Sequence, residues 1–177
     1  MAKRLGSQTV VFDKQPIILS GAAIVGKKEG DGPLARYFDD VVDDEYAGEK
    51  TFEAAESRIL KDTFSKALEK SGKAAADINV ILAGDLLNQS TAASYAFRDA
   101  NTPFIGLFGA CSTMSESLTI GSMLIDGGSA DYAVCAASSH FCSAERQFRF
   151  PLEYGSQRTP TAQWTVTGSG AVILGKD

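Results

Sequence analysis

Leu107-Phe108-Gly109-Ala110-Cys111-Ser112-Thr113-Met114-Ser115-Glu116-Ser117 is the stretch on which the fold turns. The apolar run 104–108 stops at Gly109-Ala110, a thiol follows, and small and apolar residues then continue to Gly127-Gly128. This order predicts a buried strand, a tight turn, and a helix with Cys111 at or near its first turn. A thiol there meets the positive end of the helix dipole, which can lower its pKa and suit it to attack or ligand contact. Free cysteine is also among the most buried residue types, so a small core filler is the competing role. Between Ser112 and Ile125 the only charged residue is Glu116, while Met114, Leu118, Ile120, Met123, Leu124 and Ile125 spread around the wheel. A helix without a charged face is a buried one, so this helix is expected to have neighbours on every side.

On the N-terminal side, residues 78–83 read as a buried strand leading into Gly84-Asp85-Leu86-Leu87-Asn88-Gln89. The carboxyl end of such a strand is where open α/β sheets hold ligand-contacting residues, and Asp85 fits that role or that of a helix cap. Residues 90–100 read as a helix, and Asn101-Thr102-Pro103 turns the chain into the next strand. Earlier still, Thr51 is a helix cap and Ser71-Gly72 a stop, with Ile59-Leu60, Phe64 and Ala67-Leu68 at helical spacing between them. Residues 16–25 give one or two strands. The Gly-rich segment 26–34, with Lys27 and Lys28, is expected to be a loop, its lysines solvated or facing an anion. The acidic cluster 39–45 is expected to be a solvated face.

On the C-terminal side, residues 131–138 form another buried strand that delivers Ser139-His140 to its carboxyl end. Residues 161–174 read as strand again, interrupted at Gly168-Ser169-Gly170 by a turn or a bulge. Strand and helix in this alternation predict an α/β fold of βαβ units around a mostly parallel sheet.

The 177 residues, 44% hydrophobic and 22% charged, make one domain's worth of ordinary globular chain. A net charge of -5 argues against a general nucleic-acid binder. Three cysteines at unrelated spacings give no disulfide framework and favour a reducing compartment. Neither a signal segment nor a run long enough to span a bilayer is present, so a soluble, cytoplasmic protein is expected.

His140 is the only histidine, so any Cys-His or Ser-His mechanism must use it. Cys111, Cys135, His140 and Cys142 lack the spacing of a zinc set, and Gly168-Ser169-Gly170 lacks the rest of a nucleotide-binding fingerprint. No metal and no cofactor is therefore expected. The segment 144–155 is dense in arginines and aromatics: Arg146 and Arg149 suit carboxylates and the rings suit a planar ligand, or else the arginines pair with neighbouring glutamates.

Several of these motifs together resemble the stage V sporulation protein AD family: Gly84-Asp85-Leu86-Leu87-Asn88-Gln89, Phe108-Gly109-Ala110-Cys111-Ser112-Thr113, Ser138-Ser139-His140, and Ala144-Glu145-Arg146-Gln147-Phe148-Arg149 through Glu153-Tyr154-Gly155. The resemblance implies a thiolase-like fold, of which this chain is one half: a mixed five-stranded sheet with helices on both faces, of βαβαβαββ type. Residues 1–177 would be the N-terminal half-domain, with the C-terminal half absent from the chain. Cys111 then matches the acyl-accepting cysteine of condensing enzymes, without the partners that the second half supplies. The family implies a non-catalytic protein that binds dipicolinic acid, free or as its calcium chelate, and aids its uptake into the developing spore. It also implies work beside other proteins of the same transport system, at the spore inner membrane. Cys111, His140, Asp85, Ser139, Arg146, Arg149, Lys27 and Lys28 are the expected ligand contacts. The alternative is an acyltransferase that uses Cys111 as nucleophile. A helix left uncovered by a missing half leads to the expectation of a homo-oligomer.

Overall fold

The computed structural model describes residues 3–148, 161 and 163–176. A small antiparallel hairpin, β1 (Lys3–Leu5) and β2 (Thr9–Val11), precedes the main sheet. The main chain path then runs β3 (Ile17–Gly26), α1 (Lys27–Gly30), β4 (Asp40–Val42), α2 (Phe52–Ser71), β5 (Val80–Gly84), α3 (Thr91–Phe97) and β6 (Phe104–Gly106). It continues through α4 (Thr113–Gly127), β7 (Tyr132–Ser139), α5 (Phe141–Phe148) and β8 (Gly168–Gly175).

The sheet is mixed, in the order β4-β3-β8-β7-β5-β6. β5 pairs in parallel with β6 and β7, β3 in parallel with β4, and β8 runs antiparallel between β3 and β7. The expected βαβαβαββ pattern is followed by β3, α2, β5, α3, β6, α4, β7 and β8, with a further helix, α5, between the last two strands. A sixth strand, β4, joins the five because residues 40–42 of the acidic cluster pair with the end of β3.

Strand alternation assigns the two faces. Ile81, Ala83, Val134, Ala136, Ala171 and Ile173 pack under Leu60 and Ala67 of α2 and Ala93 and Phe97 of α3. Val80, Leu82, Ala133, Cys135 and Leu174 pack against Ile125 of α4 on the opposite face. Helix α2 has the predicted cap: Thr51 Oγ1 accepts from the Ala54 amide at 3.2 Å, and Gly72 ends the helix in the left-handed conformation. Its buried stripe is Ala55, Glu56, Ile59, Leu60, Thr63 and Ala67, so one acid lies inside it.

Helix α4 departs from the expectation of neighbours on every side and has the uncovered side expected of a half-domain. Thr113, Ser117, Gly121 and Ile125, each four residues apart, turn to the sheet. A Cβ at Gly121 would stand 3.0 Å from Cys135 Sγ, which measures how closely helix and strand approach. Leu118, Ile120 and Leu124 are only partly buried, and Met123 is 43% exposed. The helix therefore has a neighbour on its sheet side, while its outer apolar side is open among the described residues. The apolar wheel shows a helix suited to burial, but not which chain buries it.

Three smaller corrections follow from position. β6 is a sheet edge rather than a buried strand, paired on one side only, and Ile105 is 41% exposed. Residues 27–30 form one helical turn instead of open loop. Gly168-Ser169-Gly170 does not interrupt a strand but begins β8, paired on both sides. No helix among the described residues is long and apolar enough to cross a membrane.

Candidate functional site

The carboxyl ends of β5 and β7 meet the turn that opens α4. Leu107 donates its amide to the Ala83 carbonyl at 2.9 Å. A Cβ on Gly84 would lie 1.9 Å from the Leu107 carbonyl oxygen, so only glycine allows this approach. A Cβ on Gly109 would lie 2.6 Å from both Glu116 Oε2 and Ser112 Oγ. Ser112 Oγ donates to the Gly109 carbonyl at 2.7 Å, and the Gly109 amide donates to Thr113 Oγ1 at 3.2 Å. Ala110 between them has a φ of 48°, a left-handed conformation that costs an ordinary residue about 1–2 kcal/mol. The strained turn carries Cys111 outward, where it is exposed. The thiol belongs to a 3₁₀ turn, Ala110–Ser112, so α4 begins two residues after it.

Cys111 opens onto a cavity of about 670 Å³. Ala137, Ser138 and Ser139 of β7, Gly168, Ser169 and Gly170 of β8, and Ala23 and Val25 of β3 form its floor. Glu145 of α5 and Phe38, Gln163, Trp164, Thr165 and Val166 give its walls. Ser139 Oγ donates to the Val166 carbonyl at 2.6 Å and fixes the approach to β8.

His140 does not line this cavity. Its ring is buried and stacked on Phe52, with centroids 5.1 Å apart, and Tyr46 also stacks on Phe52. The Cys142 amide donates to Nδ1 at 3.2 Å, so Nε2 carries the hydrogen and donates to the Glu45 carbonyl at 2.8 Å. Burial holds its pKa below the ordinary value, which leaves a neutral ring with both nitrogens occupied. Cys111 and His140 are thus not brought together.

Asp85 is buried and works as a local brace. Its carboxylate accepts from the Leu87 and Ala93 amides, both at 2.7 Å, closing the turn after β5 and capping the first turn of α3. Burial raises its pKa against the bonds from the main-chain amides of Ala93, Leu87 and Ala92. Lys27 Nζ lies 3.9 Å from Asp43, whereas Lys28 Nζ lies over the Trp164 ring at the cavity wall, 2.9 Å from its centroid. Arg146 pairs with Glu53, and Arg149 lies outside the described residues.

One group lies outside the expected set. Glu56 is 1% exposed, accepting from Ser138 Oγ at 2.9 Å and from Ser143 Oγ at 3.2 Å. Burial, then the charge of Asp85, pushes its pKa up to about 7. The signal for it is an acid beside Ala55 and one turn from Ile59-Leu60, within the stripe that the helical spacing buries.

The family model of stage V sporulation protein AD matches residues 6–177. Stage V sporulation protein AD of Bacillus subtilis (strain 168) is 46% identical over 172 residues, covering 97% of this chain and 51% of that protein. The chain thus spans about half the length of the curated relative it matches. Among solved structures, 3-oxoacyl-[acyl-carrier-protein] synthase III from Aquifex aeolicus VF5 superposes with a TM-score of 0.60 at 16% identity, covering 92% of this chain and 54% of its own. OleA H285N from Xanthomonas campestris gives 0.60 at 16% identity, over 91% and 56%. The priming β-ketosynthase of the R1128 polyketide pathway gives 0.58 at 15%, over 98% and 53%. At these identities the likeness is one of fold, and the fold is thiolase-like.

Proposed function

Because this chain belongs to the stage V sporulation protein AD family, we propose that it serves as a non-catalytic sporulation protein that binds dipicolinic acid and aids its uptake into the developing spore. The observation that carries this reading is the cavity at the carboxyl ends of the strands, walled by Trp164 and Phe38 and floored by serines and glycines. Aromatic walls suit a planar pyridine ring, and small residues let main-chain amides reach a carboxylate. Of the four cations expected to meet the carboxylates, Lys28 stands at the cavity wall through Trp164. Arg146 and Lys27 each have an acidic partner instead.

Within this chain His140 is not placed to serve Cys111 as a base: it is committed to Glu45, Cys142 and Phe52 on the other side of β7. Isothermal titration with dipicolinate, alone and with calcium, tests the proposal. Saturable heat that Cys111→Trp abolishes is the expected result, and no heat at millimolar ligand would refute it for this chain.

A second reading rests on the exposure of Cys111 in a fold shared with ketosynthases: acyl transfer through a thioester on its Sγ. That reading requires a mass increase of one acyl group after incubation with an acyl-CoA, lost in Cys111→Ala.

The open side of α4 supports association with a second copy, and docking to other proteins of the transport system at the spore inner membrane is part of the same proposal. A monomer by light scattering at micromolar concentration would remove the first of these, and failure to co-purify with a membrane partner the second.

A further inference from the structure

Glu56 stands where three elements meet. It projects from α2 into the layer beneath the sheet, takes the Ser138 hydroxyl from the end of β7, and takes the Ser143 hydroxyl from the first half of α5. Ser138 pairs directly with Ser169 of β8, and the two lie on the same face of the sheet. Ser169 Oγ is buried and has no hydrogen-bond partner among the described residues. The acid is therefore held by two serine hydroxyls, with a third serine, Ser169, beside Ser138 on the neighbouring strand. The cavity adjoins this cluster: Ser138 and Ser169 themselves line it, Ser139 follows Ser138 on the strand, and Glu145 lies two residues beyond Ser143 on α5.

We propose that Glu56 is a positioning residue for the candidate site, its carboxyl group holding α5 onto the end of β7 and so setting where Ser139 and Glu145 stand on the cavity rim. The functional part of this proposal rests on the binding reading above; the clamp itself does not.

The clamp depends on pH in a definite direction. Ionisable groups on the surrounding elements are Asp85 after β5, His140 after β7, Cys142, Glu145 and Arg146 on α5, and Glu53 one turn earlier on α2. Asp85 is the one among the described residues whose charge acts on Glu56, and it opposes ionisation. Burial opposes it more strongly than the two serine bonds favour it. The closed arrangement thus prefers the neutral acid, which can also donate a hydrogen bond among these serines. Ionisation favours lifting α5 and admitting water.

Hydrogen exchange of the amides in 141–148, corrected for intrinsic rates, tests the clamp on the full chain of the wild type, Glu56→Gln and Glu56→Ala. In the wild type, protection should fall by about tenfold or more between about pH 5 and pH 8. Glu56→Gln keeps a neutral acceptor and should stay protected throughout, while Glu56→Ala should be weakly protected throughout. Equal protection in all three, or Glu56→Gln behaving as Glu56→Ala, overturns the proposal. If Glu56→Ala fails to fold, the pH profiles of wild type and Glu56→Gln decide alone, since only a titrating clamp separates them. Dipicolinate titration on the same proteins separates the two claims. A working clamp in a protein that never binds dipicolinate sinks the binding reading and leaves the clamp standing. Unchanged affinity in a Glu56→Ala protein with a loosened α5 sinks the positioning role.

Discussion

Nε2 of His140 donates to the main-chain carbonyl of Glu45, whose oxygen lies 2.8 Å from the nitrogen and 95 residues earlier in the chain. This bond ties the acidic segment after β4 to the junction of β7 and α5, and Phe52 completes the tie by stacking on the ring. The only histidine of the sequence is thereby a structural group on the α2 side of the sheet, while the exposed thiol of Cys111 faces the other side.

Replacing His140 should consequently affect folding and not the thiol. His140→Ala leaves the Glu45 carbonyl and the Cys142 amide without partners, a loss of about 1–3 kcal/mol in urea denaturation. The alkylation rate of Cys111 in the folded variant should match the wild type within about twofold, which is below the scatter of most local packing effects.

Two buried groups set opposing pH dependences. The pKa of Glu56 is raised from 4.5 to about 7, so its contribution to stability is full below the unfolded value and is lost as pH rises towards 7. The pKa of His140 is lowered from 6.5, so its contribution is full above that value and is lost as pH falls through the folded one. Between about pH 5 and 6.5 the two slopes oppose, each bounded by roughly 1.4 kcal/mol per pH unit. Urea denaturation should show stability rising with pH in Glu56→Gln and falling with pH in His140→Gln. Parallel profiles in the two variants would contradict the assignments.

Gly84→Ala tests the turn that carries the thiol. The added Cβ would meet the Leu107 carbonyl oxygen at 1.9 Å and Thr113 Cγ2 at 2.9 Å, and backbone cannot yield as a flexible side chain can. A loss of about 1–3 kcal/mol or more is expected, with altered Cys111 alkylation because the same turn presents it. Gly127→Ala, where a Cβ meets nothing within 4 Å, is the matched control and should be close to neutral or stabilising.

The three cysteines should separate by reactivity. Cys111 is exposed, Cys142 half-buried, and Cys135 buried with its pKa pushed up to about 12. Mass spectrometry after brief iodoacetamide treatment at about pH 8 should find Cys111 modified first and Cys135 only after unfolding. Bound dipicolinate should slow the Cys111 reaction if the ligand occupies the cavity that the thiol lines.

Much of the scaffold is legible in the order of residues. Thr51 and Gly72 bracket α2 because capping depends on residues three or four apart. The strand at 80–84 and the turn at Gly84-Asp85 follow from an apolar run meeting a breaker. Asp85 is readable as ligand or cap; its two amide partners resolve it as a brace. Lys27, Lys28 and Arg146 are readable as cations, but their partners Asp43, Trp164 and Glu53 lie far along the chain and no local spacing announces them. Glu56 illustrates the converse: its place in the stripe is visible, but its buried state depends on Ser138 and Ser143 closing over it.

Residue order alone dictates the succession of strands and helices and the stops between them, because periodicity, caps and glycine turns act within a few residues. Which chemical groups share a space is settled by the assembled sheet. Along β7, Val134 and Ala136 face α2 while Cys135 faces α4, so Ser138 reaches Glu56 from the strand end, where it and Ser139 border the cavity with Cys111. His140 falls on the α2 side with Phe52. One residue's step along a strand moves a side chain to the opposite face, and which helix covers that face is fixed only by the crossover connections. Proximity of Cys111 to Ser139, and not to His140, therefore comes from the way those connections wind the chain.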